Sequence, residues 1–259
     1  VAEFVYPPVI GTALTAFRAL DLRIEVEGAH HVPKHGGAVL VSNHISYLDF
    51  LFAGLGAWKS ARRHTRFMAK DDVFRHRVSG PLMRGMRHIP VDRSDGQPAY
   101  DAAVRALRAG EVVGVFPEAT ISRSFTLKKF KTGAARMAAD AEAPLLPMIL
   151  WGTQRLWTKG RPKNLTRRHT PVTIRIGEPI HLTPEDRPVM VTRRLRQAMA
   201  ALLDQAQSSY PDKPEDAGDS WWLPAHLGGT APTPEAAEAE DAVEAQERTA
   251  RRTADQTAR

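Results

Sequence analysis

The chain has 259 residues, 42% of them hydrophobic and 25% charged, a balance that excludes disorder throughout. It contains no cysteine, which excludes disulfides, thiolate metal sites and a cysteine nucleophile. The formal net charge is +7, yet Glu235, Glu238, Glu240, Asp241, Glu244 and Glu247 crowd the tail, so the body is more basic than the total and suits anionic partners: nucleic acid, phosphorylated metabolites or an acidic membrane surface.

Phe4 to Phe17 is apolar over fourteen positions, carries Pro7-Pro8 and Gly11, and ends at Arg18. That is short of the roughly 18 residues of a membrane span and fits an interfacial or core helix. It lacks the basic start and small-residue cleavage site of a secretory signal. The first residue is valine rather than methionine, so preceding residues are expected. Leu22 to Glu27 alternates apolar and charged, predicting a half-buried strand, and Ala38 to Val41 a short buried one. Tyr47 to Ala57 reads as a helix ending near Gly54 or Gly56, and Arg66 to Ala69 as a strand. Val78 to Met86 reads as helix interrupted by Gly80-Pro81, and His88 to Val91 as extended because of Pro90. Gln97 to Ala109 is an amphipathic helix stopped by Gly110. Val112 to Phe116 is a buried strand and Gly133 to Ala141 a helix. Leu145 to Leu150 is a strand whose Pro147 predicts an edge or a bulge. Val172 to Ile176 is a strand, and Val189 to Ala206 a long closing helix.

Repeated strand–helix units predict an α/β fold: a mixed, largely parallel sheet flanked by helices, with an N-terminal interfacial helix and a flexible C-terminal tail. The expected division is a membrane-interface helix over residues 1–20, a catalytic domain over 21–210 and a largely disordered tail over 211–259, residues 230–259 being at most a solvated helix. Trp221 and Trp222 are expected to dock back on the body rather than sit at a membrane interface.

Three segments carry chemistry. In Asn43-His44-Ile45-Ser46-Tyr47-Leu48-Asp49 a histidine follows a buried strand and precedes a carboxylate by five positions. On one helix that spacing is about 140°, so the pair meets only if His44 lies in the turn and Asp49 one turn into the helix. Ser46 as N-cap with Asp49 three later supports that arrangement and also supplies its rival, an Asp49 that merely caps the helix. Asn43 at a buried strand end needs partners. In Phe116-Pro117-Glu118-Ala119-Thr120 a strand ends in a carboxylate and a hydroxyl, followed by Arg123, Lys128, Lys129 and Lys131. Strand ends are where α/β proteins place ligands, although the lysines also suffice to neutralise an acidic loop. In Ile89-Pro90-Val91-Asp92-Arg93, Arg93 is either a planar clamp for phosphate or a surface partner of Asp92.

Taken together these segments resemble the glycerolipid acyltransferase family, typified by lysophosphatidic acid acyltransferases. That family shows Asn-His, four residues, then Asp, here Asn43, His44 and Asp49. It shows a block ending in a phosphate-binding arginine, here Gly85 to Arg93, and a Phe-Pro-Glu-Gly-Thr-Arg-Ser block, here Phe116 to Ser122. Phe130-Lys131-Thr132-Gly133 and the proline-centred Ala143 to Pro147 complete the order, over roughly residues 20 to 180. Ala119 stands where the family has glycine, and Ile121 where it has the motif arginine, a loss Arg123 is placed to offset.

The resemblance implies direct acyl transfer from acyl-CoA or acyl carrier protein to a lysophospholipid, most simply lysophosphatidate, with no other cofactor and no metal. His44 is the implied general base and Asp49 its orienting partner; Asn43, Arg93, Glu118, Thr120, Arg123 and Lys131 are the implied substrate-binding residues. It further implies a peripheral or monotopic protein at the cytoplasmic face of the cell membrane, with the membrane surface and no nucleic acid as partner. Another lipid or glycolipid alcohol is an alternative acceptor. A serine-type lipid hydrolase would need a Gly-x-Ser-x-Gly elbow, which is absent. A non-catalytic basic membrane- or nucleic-acid-binding module is the remaining rival, but the aromatics are not interleaved with basic residues as base stacking requires. His30, His31 and His35 lack the helical frame and thiolates of a zinc site and read as a polar loop.

Overall fold

The computed structural model of the chain describes residues 4–92, 94–216 and 218–257. Seven strands form one sheet: β1 (Arg23–Glu27), β2 (Ala38–Ser42), β3 (Thr65–Lys70), β4 (Ile89–Val91), β5 (Val112–Val115), β6 (Leu145–Trp151) and β7 (Pro171–Ile176). Their order is β1-β7-β6-β2-β5-β3-β4. Every neighbouring pair is parallel except β6 with β7. The mixed, largely parallel sheet expected from the alternating pattern is the one observed.

The helices are α1 (Tyr6–Ala19), α2 (Asp49–Ala61), α3 (Asp71–Arg75), α4 (Ser79–Gly85), α5 (Gln97–Arg108), α6 (Gly133–Asp140), α7 (Pro188–Ser208) and α8 (Pro234–Thr257). Alternate strand residues, among them Ala38 and Leu40, Leu146, Met148 and Leu150, and Val172, Ile174 and Ile176, share a core with Phe52, Ala53, Leu55 and Ala57 of α2 and Phe17 of α1. The intervening Val39, Val41, Leu145 and Ile149 are fully buried on the opposite face, where α5, α6 and α7 lie side by side. Burial on both faces is why these strands read as near-continuous apolar runs.

Several local expectations are revised. Helix α2 runs through Gly54 and Gly56 to Ala61. Each interior glycine costs up to about 1 kcal/mol relative to alanine, but a Cβ at Gly56 would come within 3.0 Å of both Ile174 and Met148, so the missing side chain lets the helix settle on the sheet. Helix α3 was not foreseen, and α4 begins only at Ser79, which puts Pro81 in its first turn, where a missing N–H is harmless. β6 is interior, not an edge; Pro147 instead marks a bulge. From Met148↔Ile176 to Leu145↔Ile180, three residue steps on β6 face four on its partner.

The chain forms two units, Val1–Ile121 with Lys129–Asp212, and Ser122–Lys128 with Lys213–Arg259. The second unit buries Phe125, Leu127 and Trp222 and contains α8. α8 falls within residues 230–259, where a solvated helix was the ordered alternative to disorder. Alanine and glutamate favour helix strongly, and Arg123 and Lys128 neutralise part of its acidic face, a long-range pairing that composition does not reveal.

Candidate active site

The site lies at the carboxyl ends of three adjacent parallel strands, β6, β2 and β5, the usual ligand position in open α/β sheets. β2 delivers Asn43 and His44, β5 delivers Phe116 to Glu118, and β6 delivers Gly152 and Thr153.

His44 sits in the turn after β2, and Asp49 opens α2. Asp49 is fully buried, and its Oδ2 lies 2.9 Å from Nδ1 of His44. The same oxygen accepts the backbone N–H groups of Ile45 and Ser46, each at 2.7 Å. Capping and orienting are therefore not rivals: one carboxylate oxygen closes the turn and holds the imidazole. Because a carboxylate only accepts, the proton on Nδ1 faces Asp49 and the lone pair of Nε2 is left for a substrate. The ring keeps about a fifth of its surface open, at 21% side-chain exposure.

Glu118 is buried, and its Oε1 accepts the backbone N–H of His44 at 3.1 Å. Asn43 is likewise buried. Its amide spans the backbone of Leu150, donating from Nδ2 to the carbonyl at 3.0 Å and accepting the N–H at Oδ1 at 2.7 Å. The sequence suggested that Asn43 needs partners; β6 provides them. Thr120 is half-buried and Lys131 exposed, with the backbone N–H of Lys131 donating to Pro117 O at 3.0 Å. Ile121 is buried, so no cation occupies the place of the motif arginine. Ala119 takes φ +61°, the left-handed region that glycine tolerates best.

Arg123 belongs to the second unit, where its guanidinium meets Glu240 at 3.4 Å, Asp241 at 3.2 Å and Glu244 at 2.9 Å. Arg93 lies outside the described residues.

An apolar cleft lies two aromatic rings away from the histidine. Phe116 stacks on His44 with centroids 4.3 Å apart, and Phe67 lies parallel to Phe116 at 5.9 Å. Phe67 in turn lines a cleft walled by Val9, Ile10 and Ala13 of α1, by Leu51, Gly54 and Leu55 of α2, and by Met86 and His88. His88 Nδ1 accepts the N–H of Phe67 at 3.0 Å, and burial, aided by nearby Arg66, lowers its pKa to about 4. The apolar face of α1, read as interfacial, turns inward: Phe17 stacks on Phe52 at 4.6 Å, and the Tyr6 hydroxyl donates to Thr65 O.

Sequence reasoning missed the segment after β6. Thr153 donates to the second oxygen of Asp49 at 2.7 Å, and Thr158 to Ile45 O at 2.7 Å. Trp157 O accepts both the Ser46 hydroxyl, at 2.7 Å, and the Tyr47 N–H, at 3.1 Å. The only signal was a hydroxyl residue, Thr153, just beyond a buried strand.

Residues 23–151 match the family described as Acyltransferase. The chain is 33% identical over 162 residues to a 1-acyl-sn-glycerol-3-phosphate acyltransferase of Limnanthes douglasii, a match covering 61% of this chain and 54% of that protein. It is 28% identical over 206 residues to the protein of the same name from Bacillus subtilis, covering 74% and 96% respectively. The chain spans about half the length of the Limnanthes relatives. The crystal structure of the 1-acyl-sn-glycerophosphate (LPA) acyltransferase, PlsC, from Thermotoga maritima matches with a TM-score of 0.66 and 22% identity over 80% of this chain and 81% of that one, a likeness of fold. With the Asn-His/Asp pair and the Phe-Pro-Glu block at neighbouring strand ends, and the family matched through both, residues 23–151 belong to the Acyltransferase family.

Proposed function

We propose that the chain moves a fatty acyl group from a thioester of coenzyme A or acyl carrier protein to the free hydroxyl of lysophosphatidate, giving phosphatidate. The observation that carries this reading is the His44–Asp49 pair at the carboxyl ends of the parallel strands, with an apolar cleft two aromatic rings away. Nε2 of His44 takes the proton of the acceptor hydroxyl as its oxygen attacks the thioester carbon. Asp49 stabilises the imidazolium that forms. The tetrahedral intermediate collapses by breaking the carbon–sulfur bond, and the proton passes from His44 to the departing thiolate. No acyl group rests on the protein. Both serines flanking His44 point elsewhere: Ser42 donates to Asn43 O at 3.2 Å and Ser46 to Trp157 O, which disfavours a serine nucleophile. Glu118 fixes the His44 backbone. Lysophosphatidate is the acceptor favoured by the names of the relatives, and Lys131, with Arg93, supplies positive charge for its phosphate.

His44→Ala is expected to fold normally and to lose about 10²–10⁴-fold in transfer of labelled acyl groups from acyl-CoA. Turnover near the wild-type level by that variant would end the proposal. A panel of lysophosphatidate, glycerol 3-phosphate and glycolipid alcohols identifies the acceptor.

The cytoplasmic face of a membrane is the proposed working place. No described helix is long and apolar enough to cross one. Phe4, Val78 and Leu82 are nevertheless exposed around α1 and α4, and the exposed Arg77 adjoins Val78 in sequence, a combination suited to an anionic lipid surface. Deleting residues 1–20 would also remove the buried Tyr6 and Phe17, so a point change is the cleaner test. Phe4→Asp is expected to reduce flotation with anionic vesicles while leaving unfolding unchanged; undiminished flotation counts against this surface.

A further inference from the structure

We infer that Thr153 is a positioning residue for the acyl transfer proposed above, fixing the plane of the Asp49 carboxylate and through it the ring of His44. The inference rests on that functional reading. Oδ2 of Asp49 carries three hydrogen bonds, from His44 Nδ1 and from the N–H groups of Ile45 and Ser46. All three converge on one oxygen and leave Oδ1 to be satisfied from elsewhere. The terminal torsion of an aspartate is broad, so the plane is set by what the two oxygens touch. Thr153 Oγ1 bonds the second oxygen at 2.7 Å and adds an independent restraint on that plane. The direction is unambiguous, since the hydroxyl alone has a proton to give.

Thr153 is itself well held. It is fully buried, and it follows Gly152, whose φ is +95° and whose Cβ, if present, would lie 2.1 Å from Pro171 O. The turn therefore requires glycine, and Gly152 N–H donates to Gln154 Oε1 at 2.8 Å. Downstream, Trp157 and Thr158 bind the backbone and side chains of residues 45–47. The loop after β6 is thus a wall built around the His44 turn, and Thr153 is its point of contact with the carboxylate.

A purely structural role, satisfying a buried oxygen, would lower stability without a specific effect on turnover. Steady-state acyl transfer separates the two in wild type, Thr153→Val, Thr153→Ala, Thr153→Ser, Asp49→Asn and Asp49→Asn/Thr153→Val. Thr153→Val, nearly isosteric and without a hydroxyl, is expected to lower kcat about tenfold or more with KM for the acyl donor unchanged. Thr153→Ser is expected to recover most of the loss. In the Asp49→Asn background the valine change is expected to add less than about twofold, because the carboxylate it steadies is gone. Thr153→Ala replaces the valine variant if that one does not fold. The inference is overturned by wild-type kcat in either hydroxyl-free variant, by a serine variant as slow as valine, by an undiminished loss in the Asp49→Asn background, or by failure of both hydroxyl-free variants to fold. Wild-type turnover by His44→Ala would instead defeat the functional reading, so the two failures are distinguishable.

Discussion

At Ala119 the chain places a Cβ where φ is +61°, in the turn that carries Glu118 toward the His44 backbone. The left-handed region costs an L-residue roughly 1–2 kcal/mol, and glycine escapes that penalty at the expense of greater unfolded-chain entropy. The side chain is exposed, so nothing is lost in packing. Ala119→Gly is therefore expected to stabilise the protein by about 0.5–1 kcal/mol, read as a higher urea midpoint at unchanged slope; a lower midpoint would contradict it. The same conformation explains why the family carries glycine there. At this scale the sequence was informative where partners are near in the chain. His44 and Asp49 are five apart, and Ser46 supplied the turn between them. Thr153 was invisible because its partner lies 104 positions away.

Helices α1 and α2 show what a hydrophobic pattern can and cannot specify. The apolar run of α1 was legible, but its destination was not, because the same side chains suit a lipid surface and a protein cleft equally well. In the fold, Val9, Ile10 and Ala13 face α2 and line the cleft beside Phe67. Gly54 of α2 lines it too, and a Cβ there would stand 3.4 Å from the Phe67 ring. If the cleft holds the acyl chain, Gly54→Leu fills the space of two or three methylenes. At about 0.8 kcal/mol per methylene, long-chain donors are expected to lose roughly tenfold or more in kcat/KM while octanoyl-CoA is spared. Measuring octanoyl- and palmitoyl-CoA in parallel checks this, and an unchanged ratio would remove the cleft from the donor site. Helix α8 was obscured for another reason. Its low apolar content resembles disorder, and only Arg123 and Lys128, more than a hundred residues upstream, show which carboxylates it needs to neutralise.

For the molecule as a whole, burial of His88 links stability to pH. Its pKa in the fold is about 4, against an ordinary value near 6.5. Between those values the unfolded chain takes up a proton that the folded chain refuses. Stability is therefore complete above about pH 6.5 and falls as the pH drops toward 4, by up to about 3 kcal/mol. Burial lowers the pKa of His64 as well, which acts in the same direction. Thermal midpoints are expected to decline from pH 7 to pH 4.5 in wild type and to decline less in His88→Asn; parallel curves would show that other groups carry the dependence. The architecture itself was readable, since strands buried on both faces leave apolar runs with turn residues between them. The order of the strands was not, because β6, late in the sequence, pairs with β2, near its start.

That late insertion has a consequence during synthesis. A ribosome exposes His44 and Asp49 long before it has translated β6 and the wall beyond it. Until those residues emerge, one flank of β2 lacks its neighbour and the imidazole lacks its aligning loop. Under the transfer proposed above, chains ending before β6 are accordingly expected to be inert in the acyl-CoA assay.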